Sequence, residues 1–188
     1  MRVISGKARG VTLKTPEGMQ TRPTADRVKE ALFSIIQFDL PGAKVLDLFG
    51  GTGQLGIEAL SRGATGAVFV DESAKACALI KENLRRTKLE TQANVVRADY
   101  VAYLKSTKEK FDIILLDPPY AEVFLENSLK MITEIDILQS GGIIVAERPA
   151  GKELLCSFSG FSRSKDYKYG NTLLTIYRKE RPCEEGTE

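Results

Sequence analysis

Residues 44–56 read Lys44-Val-Leu-Asp-Leu-Phe-Gly-Gly-Thr-Gly-Gln-Leu-Gly56. The first five of them predict a short buried strand, and the residues that follow the glycines predict a helix ending near residue 62. Between strand and helix, Gly51, Gly53 and Gly56 form the pattern G-x-G-x-x-G, which in this context is typical of a nucleotide-like cofactor site. Asp71 follows about 20 residues later at the end of the next predicted strand, where a carboxylate can bind ribose hydroxyls.

The rest of the chain alternates between predicted strands and predicted helices. Further strands are predicted at 67–71, 94–97, 111–116 and 142–146, with helices at 73–88, 100–105 and 122–137. Two more strands meet at Tyr169-Gly-Asn171, and the second of them ends near residue 177. Alternating strands and helices indicate a parallel sheet that helices cover on both faces. We therefore predict an α/β fold with a seven-stranded, mostly parallel sheet and an antiparallel C-terminal hairpin.

The chain length and the charge distribution predict one domain with a basic start. The 188 residues, of which 43% are hydrophobic, suit a single core of ordinary size. We expect a basic N-terminal arm at 1–23, the main domain at 24–179 and a disordered polar tail at 180–188. Residues 1–30 carry seven basic and three acidic side chains, a net +4, whereas the whole chain carries only +2. This distribution favours contact with a polyanion, although a solvated surface has the same composition.

The composition also argues against several classes of function. The chain has three cysteines without metal-site spacing and no histidine, which disfavours structural zinc and any Ser–His or Cys–His nucleophilic mechanism. No apolar run reaches the ~18 residues that a membrane span needs, and the N-terminus lacks the apolar segment of a secretory signal. We therefore expect a soluble, cytoplasmic, monomeric protein that has no metal and no membrane contact.

The carboxylate that precedes the glycine loop indicates which cofactor it binds. A pyrophosphate favours an uncharged approach to the helix N-terminus, whereas Asp47 suits a cationic ligand group. S-adenosylmethionine carries an ammonium and a sulfonium and no phosphate, so the sequence favours it over NAD. Asp99, after the third strand, is expected to accept a hydrogen bond from the adenine amino group. The predicted cofactor-binding residues are Asp47, Phe49, Gly51, Gly53, Gly56, Asp71, Glu72, Asp99 and Tyr100. Turn chemistry at strand ends is the alternative explanation for Asp47 and Asp71.

The fourth predicted strand ends in Asp117-Pro118-Pro119-Tyr120, which we predict to be the catalytic motif. An exocyclic amino nitrogen is a poor nucleophile because its lone pair is delocalised into the base. Two acceptors on its N–H bonds, the Asp117 carboxylate and the Pro118 carbonyl, would free that lone pair. Consecutive prolines fix the backbone and so preorganise both acceptors. Tyr120 is expected to stack on the target base. An ordinary strand-end turn is the alternative.

With these motifs in place, the chain resembles the class I S-adenosylmethionine methyltransferases of the D/N-P-P-Y/F amino type, which have a Rossmann-like fold. Residues 1–178 resemble more closely the RsmD-type small-subunit rRNA guanine-N2 methyltransferases. The most restricted motif that they share is Thr21-Arg-Pro-Thr-x-Asp-Arg27. It is accompanied by Leu46-Asp-Leu-Phe-x-Gly-x-Gly53, by Asp117-Pro-Pro-Tyr120 and by Tyr169-Gly-x-Thr172.

The resemblance implies a substrate and a set of residues that contact it. The implied reaction is methylation of N2 of guanine 966, in standard rRNA numbering, in the 16S rRNA of the small ribosomal subunit. The residues expected to contact RNA are Arg22, Thr24, Arg27, Lys7, Arg9 and Tyr169. For the motif at residues 21–27, the alternatives to RNA contact are helix capping by Thr24 and a local ion pair with Asp26. The rival functions are a DNA adenine-N6 methyltransferase and a non-catalytic rRNA-binding assembly factor.

Overall fold

The computed structural model describes residues 1–16, 23–118, 121–151, 158–164 and 166–181. Its strands are Lys44–Asp47 (β1), Gly66–Asp71 (β2), Ala93–Arg97 (β3), Phe111–Leu116 (β4), Leu138–Pro149 (β5), Phe161–Arg163 (β6), Tyr167–Tyr169 (β7) and Thr172–Lys179 (β8). Its helices are Pro23–Ile35 (α1), Gln54–Ser61 (α2), Ala74–Thr87 (α3), Tyr100–Ser106 (α4) and Ala121–Ile135 (α5), with a 3-10 turn at Glu90–Gln92. Within these ranges, the helices are too short or too polar to cross a membrane.

The strands form one sheet in the order β3-β2-β1-β4-β5-β8-β6. The first five are parallel, and β8 runs antiparallel to β5. β6 and β7 pair with successive parts of β8, so the described strands occupy seven positions across the sheet. This confirms the predicted seven-stranded, mostly parallel sheet with its closing hairpin. The chain order reverses between β1 and β4, and ligands bind at such a switch point beyond the carboxyl ends of the strands.

Both faces of the sheet are buried, which explains why the last four residues of β4, Ile113 to Leu116, are all apolar. Successive side chains of a strand point to opposite faces. Ile113 and Leu115 therefore belong to the core cluster that packs against α1, α2 and α3. Ile114 and Leu116 belong to the cluster that packs against α4 and α5. We call these the first and the second face of the sheet.

Residues 1–16, which the sequence predicted to be part of an arm, pack onto the first face. Arg2 and Thr12 form an isolated antiparallel bridge that folds the segment back on itself. Val3, Ala8 and Leu13 are buried in the core cluster of that face. The sequence hides this role because glycines and basic residues separate the apolar positions. The residues between this segment and α1 lie outside the described residues.

A buried carboxylate joins this N-terminal segment to α2. Glu58 accepts hydrogen bonds from the main-chain N–H groups of Ile4 (2.8 Å) and Ser5 (3.0 Å) and from Nε of Arg62 (2.8 Å). The buried ammonium of Lys29 lies 3.9 Å from the same carboxylate and donates to the Arg2 carbonyl at 2.7 Å. Burial lowers the pKa of Lys29, and the negative charge of Glu58 opposes that shift. Glu58 therefore fixes both α1 and the start of the chain.

We predict that Glu58→Ala destabilises the protein by about 3–5 kcal/mol, because it leaves a buried ammonium and two main-chain donors without their acceptor. The free energy of unfolding, measured in urea, tests this. The matched control is Glu82→Ala, which removes an ion pair between half-exposed side chains of Lys14 and Glu82 and should leave the urea midpoint unchanged. Equal midpoints for the two variants would contradict the structural role of Glu58.

Candidate active site

A cavity of about 320 Å³ opens at the carboxyl ends of the parallel strands. The glycine loop after β1 and the turn after β4 both line it, since Gly51 and Asp117 are among its wall residues. The two motifs that the sequence singled out therefore face one cleft. Four aspartates and one glutamate line this cavity, and none of its described wall residues is a lysine or an arginine. Such a cavity attracts a cationic ligand and repels a phosphate.

Asp71 holds the glycine loop against the end of β2. Its Oδ2 accepts a hydrogen bond from the N–H of Gly51 at 2.9 Å, and its Oδ1 accepts one from the N–H of Ser73 at 2.8 Å. Each carboxylate oxygen keeps a further lone pair for a ligand hydroxyl. Asp71 therefore has the turn role that was the alternative, and it still lines the cavity. Its neighbour Glu72 lines the cavity as well.

The two later glycines of the motif shape the loop and do not line the cavity. Gly53 precedes α2 with a φ of 79°, a left-handed conformation that favours glycine. At Gly56 a methyl group would overlap the ring of Phe69, so only glycine lets α2 pack this closely on β2. Gly53 and Gly56 were predicted to bind the cofactor, and in the structure they contribute by shaping the backbone around the cavity.

Asp47 lies at the end of β1 and is fully buried. Its Oδ2 accepts a hydrogen bond from the N–H of Gly56 at 3.0 Å. Burial raises the pKa of Asp47 to about 7, and the nearby charges of Asp117 and Asp71 add to the shift. A second acceptor is close at hand, because Oε1 of Gln54 is buried and has no hydrogen-bond partner among the described residues. Both acceptors fit the ammonium group of S-adenosylmethionine.

Aromatic rings form one wall of the cavity. The ring centroids of Phe49 and Tyr100 lie 5.4 Å apart, and those of Tyr100 and Phe124 lie 5.8 Å apart. Such a wall suits a flat heteroaromatic group. Beside it, Oδ1 of Asp99 accepts hydrogen bonds from the N–H groups of Val101 and Ala102 and so caps α4. The sequence did not anticipate this cap. Both bonds use one oxygen, so the other remains available for the predicted adenine contact.

Asp117 directly follows β4 and is the member of the predicted catalytic motif that lines the cavity. Burial raises its pKa to about 6. Pro118 follows and is itself buried. Pro119 and Tyr120 lie outside the described residues, and so does the predicted stacking of Tyr120 on a base.

Glu147 is a site residue that the sequence analysis missed. β4 and β5 are parallel with Leu116 opposite Ala146, so Asp117 and Glu147 are the next residues on two adjacent strands. Burial raises the pKa of Glu147 to about 8, and the negative charge of Asp117 contributes. One signal could have revealed it: an acidic residue follows the apolar fifth strand, just as Asp47 and Asp117 follow theirs.

With this geometry in view, comparison with known proteins identifies the family. The family described as "Conserved hypothetical protein 95" matches residues 1–178. The chain belongs to this family. The Bacillus subtilis protein named "Putative rRNA methyltransferase YlbH" is 42% identical over 182 residues, which are 95% of this chain and 99% of that protein. "Ribosomal RNA small subunit methyltransferase D" of Escherichia coli is 29% identical over 96% of this chain and 90% of its own length.

A solved structure agrees with the sequence relatives. The "Putative methyltransferase yhhF from Escherichia coli" has a TM-score of 0.87 to this structure, at 27% identity, and the match covers 97% of this chain and 99% of that one. The RsmD-type resemblance and the class I methyltransferase fold are therefore confirmed. The family and the fold are those of methyltransferases that use S-adenosylmethionine, as the sequence predicts.

In this RsmD-family chain, the residues expected to contact RNA lie in different places. Lys7 and Arg9 are exposed on a turn where the N–H of Lys7 donates to the carbonyl of Ser61, the last residue of α2. The glycine loop lies at the other end of this eight-residue helix, about 12 Å away. The structure thus does not bring these two residues to the cavity. Tyr169 is half-buried on β7 and packs against the first-face core.

Arg27 and Thr24 lie on the part of α1 that is nearer the cavity. α1 and α2 run side by side in the same direction, because Lys29 contacts Glu58 and Arg62 lies over the ring of Phe33. The first turn of α1 is therefore level with the glycine loop. Arg27 is exposed there. The side chain of Thr24 and all of Arg22 lie outside the described residues.

We predict that the affinity for S-adenosylmethionine weakens as the pH falls through about 7, because Asp47 then takes up a proton and loses the charge that faces the ammonium group. Asp47→Asn keeps an acceptor for the Gly56 N–H, but it should lower the affinity at least about tenfold and flatten the pH dependence. Titration calorimetry measures both. The control is Asp112→Asn, because Asp112 accepts the main-chain N–H of Lys44 at the opposite edge of the sheet. An unchanged pH dependence in Asp47→Asn would contradict this assignment.

Proposed function

We propose that this protein transfers a methyl group from S-adenosylmethionine to the exocyclic N2 of guanine 966 in the 16S rRNA of the small ribosomal subunit. The observation that carries the proposal is the position of Asp117, a half-buried acceptor on the same cavity as the glycine loop. The names of the Bacillus subtilis and Escherichia coli relatives support an rRNA substrate, and the second name supports the small subunit.

The reaction needs a nucleophilic nitrogen beside an electrophilic methyl group. S-adenosylmethionine supplies the methyl on its sulfonium when it is bound. Asp117 accepts one N–H of the target amine, and the carbonyl of Pro118 accepts the other. Both acceptors draw the nitrogen towards tetrahedral geometry and free its lone pair for attack on the methyl carbon. After transfer, the nitrogen carries an excess proton, which Asp117 accepts or passes to water.

The decisive experiment maps the product. Small subunits that lack the modification are incubated with the protein and labelled S-adenosylmethionine, and the labelled nucleotide is identified. We expect N2-methylguanine at position 966. Label on adenine N6 of duplex DNA would favour the rival adenine methyltransferase, and cofactor binding without transfer to either substrate would favour the non-catalytic assembly factor.

We predict that Asp117→Ala lowers the rate of methyl transfer by about 10²–10⁴-fold while it preserves cofactor binding. The wild-type rate should fall as the pH falls through about 6, because protonation removes the negative acceptor from Asp117. Asp117→Asn should be slow and should lack this acidic limb. Single-turnover rates across the pH range, with cofactor affinity as control, test both statements. Full activity of Asp117→Ala would refute the mechanism.

We further propose that RNA approaches over the first turn of α1. Arg27 is exposed at that end, level with the glycine loop, whereas Lys7 and Arg9 lie at the far end of α2. A large substrate reaches both regions only if it extends along the helices. Phosphate contacts near the target base therefore depend on Arg27 more than on Lys7 or Arg9.

We predict that Arg27→Ala weakens binding to the small subunit several-fold and lowers the slope of log K against log salt concentration by about 1. Lys7→Ala, a matched removal of one exposed positive charge, should change the slope less. Filter-binding titrations at four salt concentrations measure both variants. If Lys7→Ala had the larger effect, RNA would approach from the opposite end of α2.

A further inference from the structure

The described chain places one carboxylate at the carboxyl end of each of the five parallel strands. Across the sheet, in the order β3, β2, β1, β4 and β5, they are Asp99, Asp71, Asp47, Asp117 and Glu147. The first four line the cofactor cavity. Glu147 is not a wall residue of that cavity, and it lies one strand beyond Asp117, on the side away from the cofactor. The proposed reaction has so far given it no role.

The sheet register places the two carboxylates on the same face. Leu116 is opposite Ala146, so Asp117 and Glu147 occupy equivalent positions on strands about 4.8 Å apart. Alternation from Leu115 and Val145, which both belong to the first-face core, puts both acidic residues on the first face. Glu147 is half-buried, and its carboxyl group forms no hydrogen bond to another described residue.

The hairpin that follows brings an aromatic ring to the same region. Glu147 pairs with Leu174 on β8, and β7 extends the sheet with Tyr169 opposite Thr172. Leu174 belongs to the first-face core, and Tyr169 packs against it. A partly buried tyrosine and an acceptor without a partner therefore lie on the same face, both beyond Asp117.

Guanine presents two adjacent donors on the edge that enters the site. Its N2 amino group is next to the ring N1–H, and O6 follows as an acceptor. An acceptor one strand beyond Asp117 matches the N1–H when Asp117 binds the amine. Adenine, by contrast, has a bare acceptor nitrogen beside its amine. A buried acceptor facing that nitrogen would stay unsatisfied, which is unfavourable.

We propose that Glu147 accepts a hydrogen bond from guanine N1–H and is the specificity-determining residue that selects guanine. This inference rests on the proposed guanine-N2 activity and assigns the recognition of the base within it. Asp117 binds the amino group that receives the methyl group, and Glu147 recognises the neighbouring N1–H of the ring.

The electrostatics of the pair are compatible with this division. The lower pKa belongs to Asp117, so Asp117 loses its proton first and its charge then raises the pKa of Glu147. The group with the lower pKa is thus the residue that has to accept the reacting amine.

The test compares two bases that share the 2-amino group. Small subunits are reconstituted with a synthetic RNA fragment that carries either guanine or 2-aminopurine at the target position. 2-Aminopurine lacks both the N1–H and O6. We expect the wild-type protein to prefer guanine by about 10- to 100-fold in kcat/KM, the effect of hydrogen bonds to a polar group in a closed site.

The variants separate hydrogen bonding from a merely structural role. Glu147→Leu should bring the ratio of the two rates close to 1, whereas Glu147→Gln, which keeps a carbonyl acceptor, should preserve most of the preference for guanine. Glu90→Leu, an exposed change on the 3-10 turn, is the control and should leave the ratio at the wild-type value. A general loss of folded protein would lower both rates and leave their ratio unchanged.

The possible results distinguish this inference from the proposed function. A wild-type protein that methylates neither base would refute the proposed guanine-N2 activity. A wild-type protein that methylates both bases equally, or a Glu147→Leu variant that keeps the full preference for guanine, would refute the role of Glu147 and leave the methyltransferase assignment intact.

Discussion

Burial of carboxylates without cationic side chains beside them is the constraint that governs this active site. Asp47, Asp117 and Glu147 end three adjacent strands of the sheet, and burial raises the pKa of each of them. A buried anion without a compensating charge is unfavourable, so a cation or a hydrogen-bond donor that binds beside these groups favours their charged form. The described cavity wall supplies no lysine or arginine. The missing positive charge has to come from a ligand, and this selects a cationic cofactor.

The fold makes this arrangement possible because a parallel sheet aligns the ends of its strands. In register, Asp47 is opposite Leu115, and Ala146 is opposite Leu116, so residues that are 68 and 30 positions apart in the chain become neighbours. The close packing of α2 at Gly56 keeps the glycine loop near the strand ends. The buried Glu58 network secures the N-terminal segment beside the same helix. Rigid elements on all sides therefore hold the acceptors in place before any ligand binds.

Much of this could be predicted from the sequence because the signals are local. Strand and helix alternation, the glycine pattern and the acidic residues near the ends of the first four strands all lie within short windows. The mostly parallel sheet with its antiparallel hairpin was predicted from them. What the sequence could not show depends on contacts between distant segments. The burial of Val3 and Leu13, the cap that Asp99 forms on α4 and the position of Lys7 at the far end of α2 are of this kind. The charge distribution alone predicted that residues 1–30 contact a polyanion. Only the packing shows that the start of α1 is near the cavity and that Lys7 is not.

Glu147 is identified as a site residue by the register of the sheet and not by a sequence motif. An acidic residue after an apolar strand is common, so that signal alone does not single out Glu147 as a site residue. Its significance comes from being one strand away from Asp117 on the same face, where the two carboxyl groups cannot both be charged at low cost. Burial raises the pKa of both groups, and the negative charge of Asp117 adds to the shift at Glu147. A target base with two adjacent N–H donors fits this pair, and that links the chemistry of methyl transfer to the choice of base.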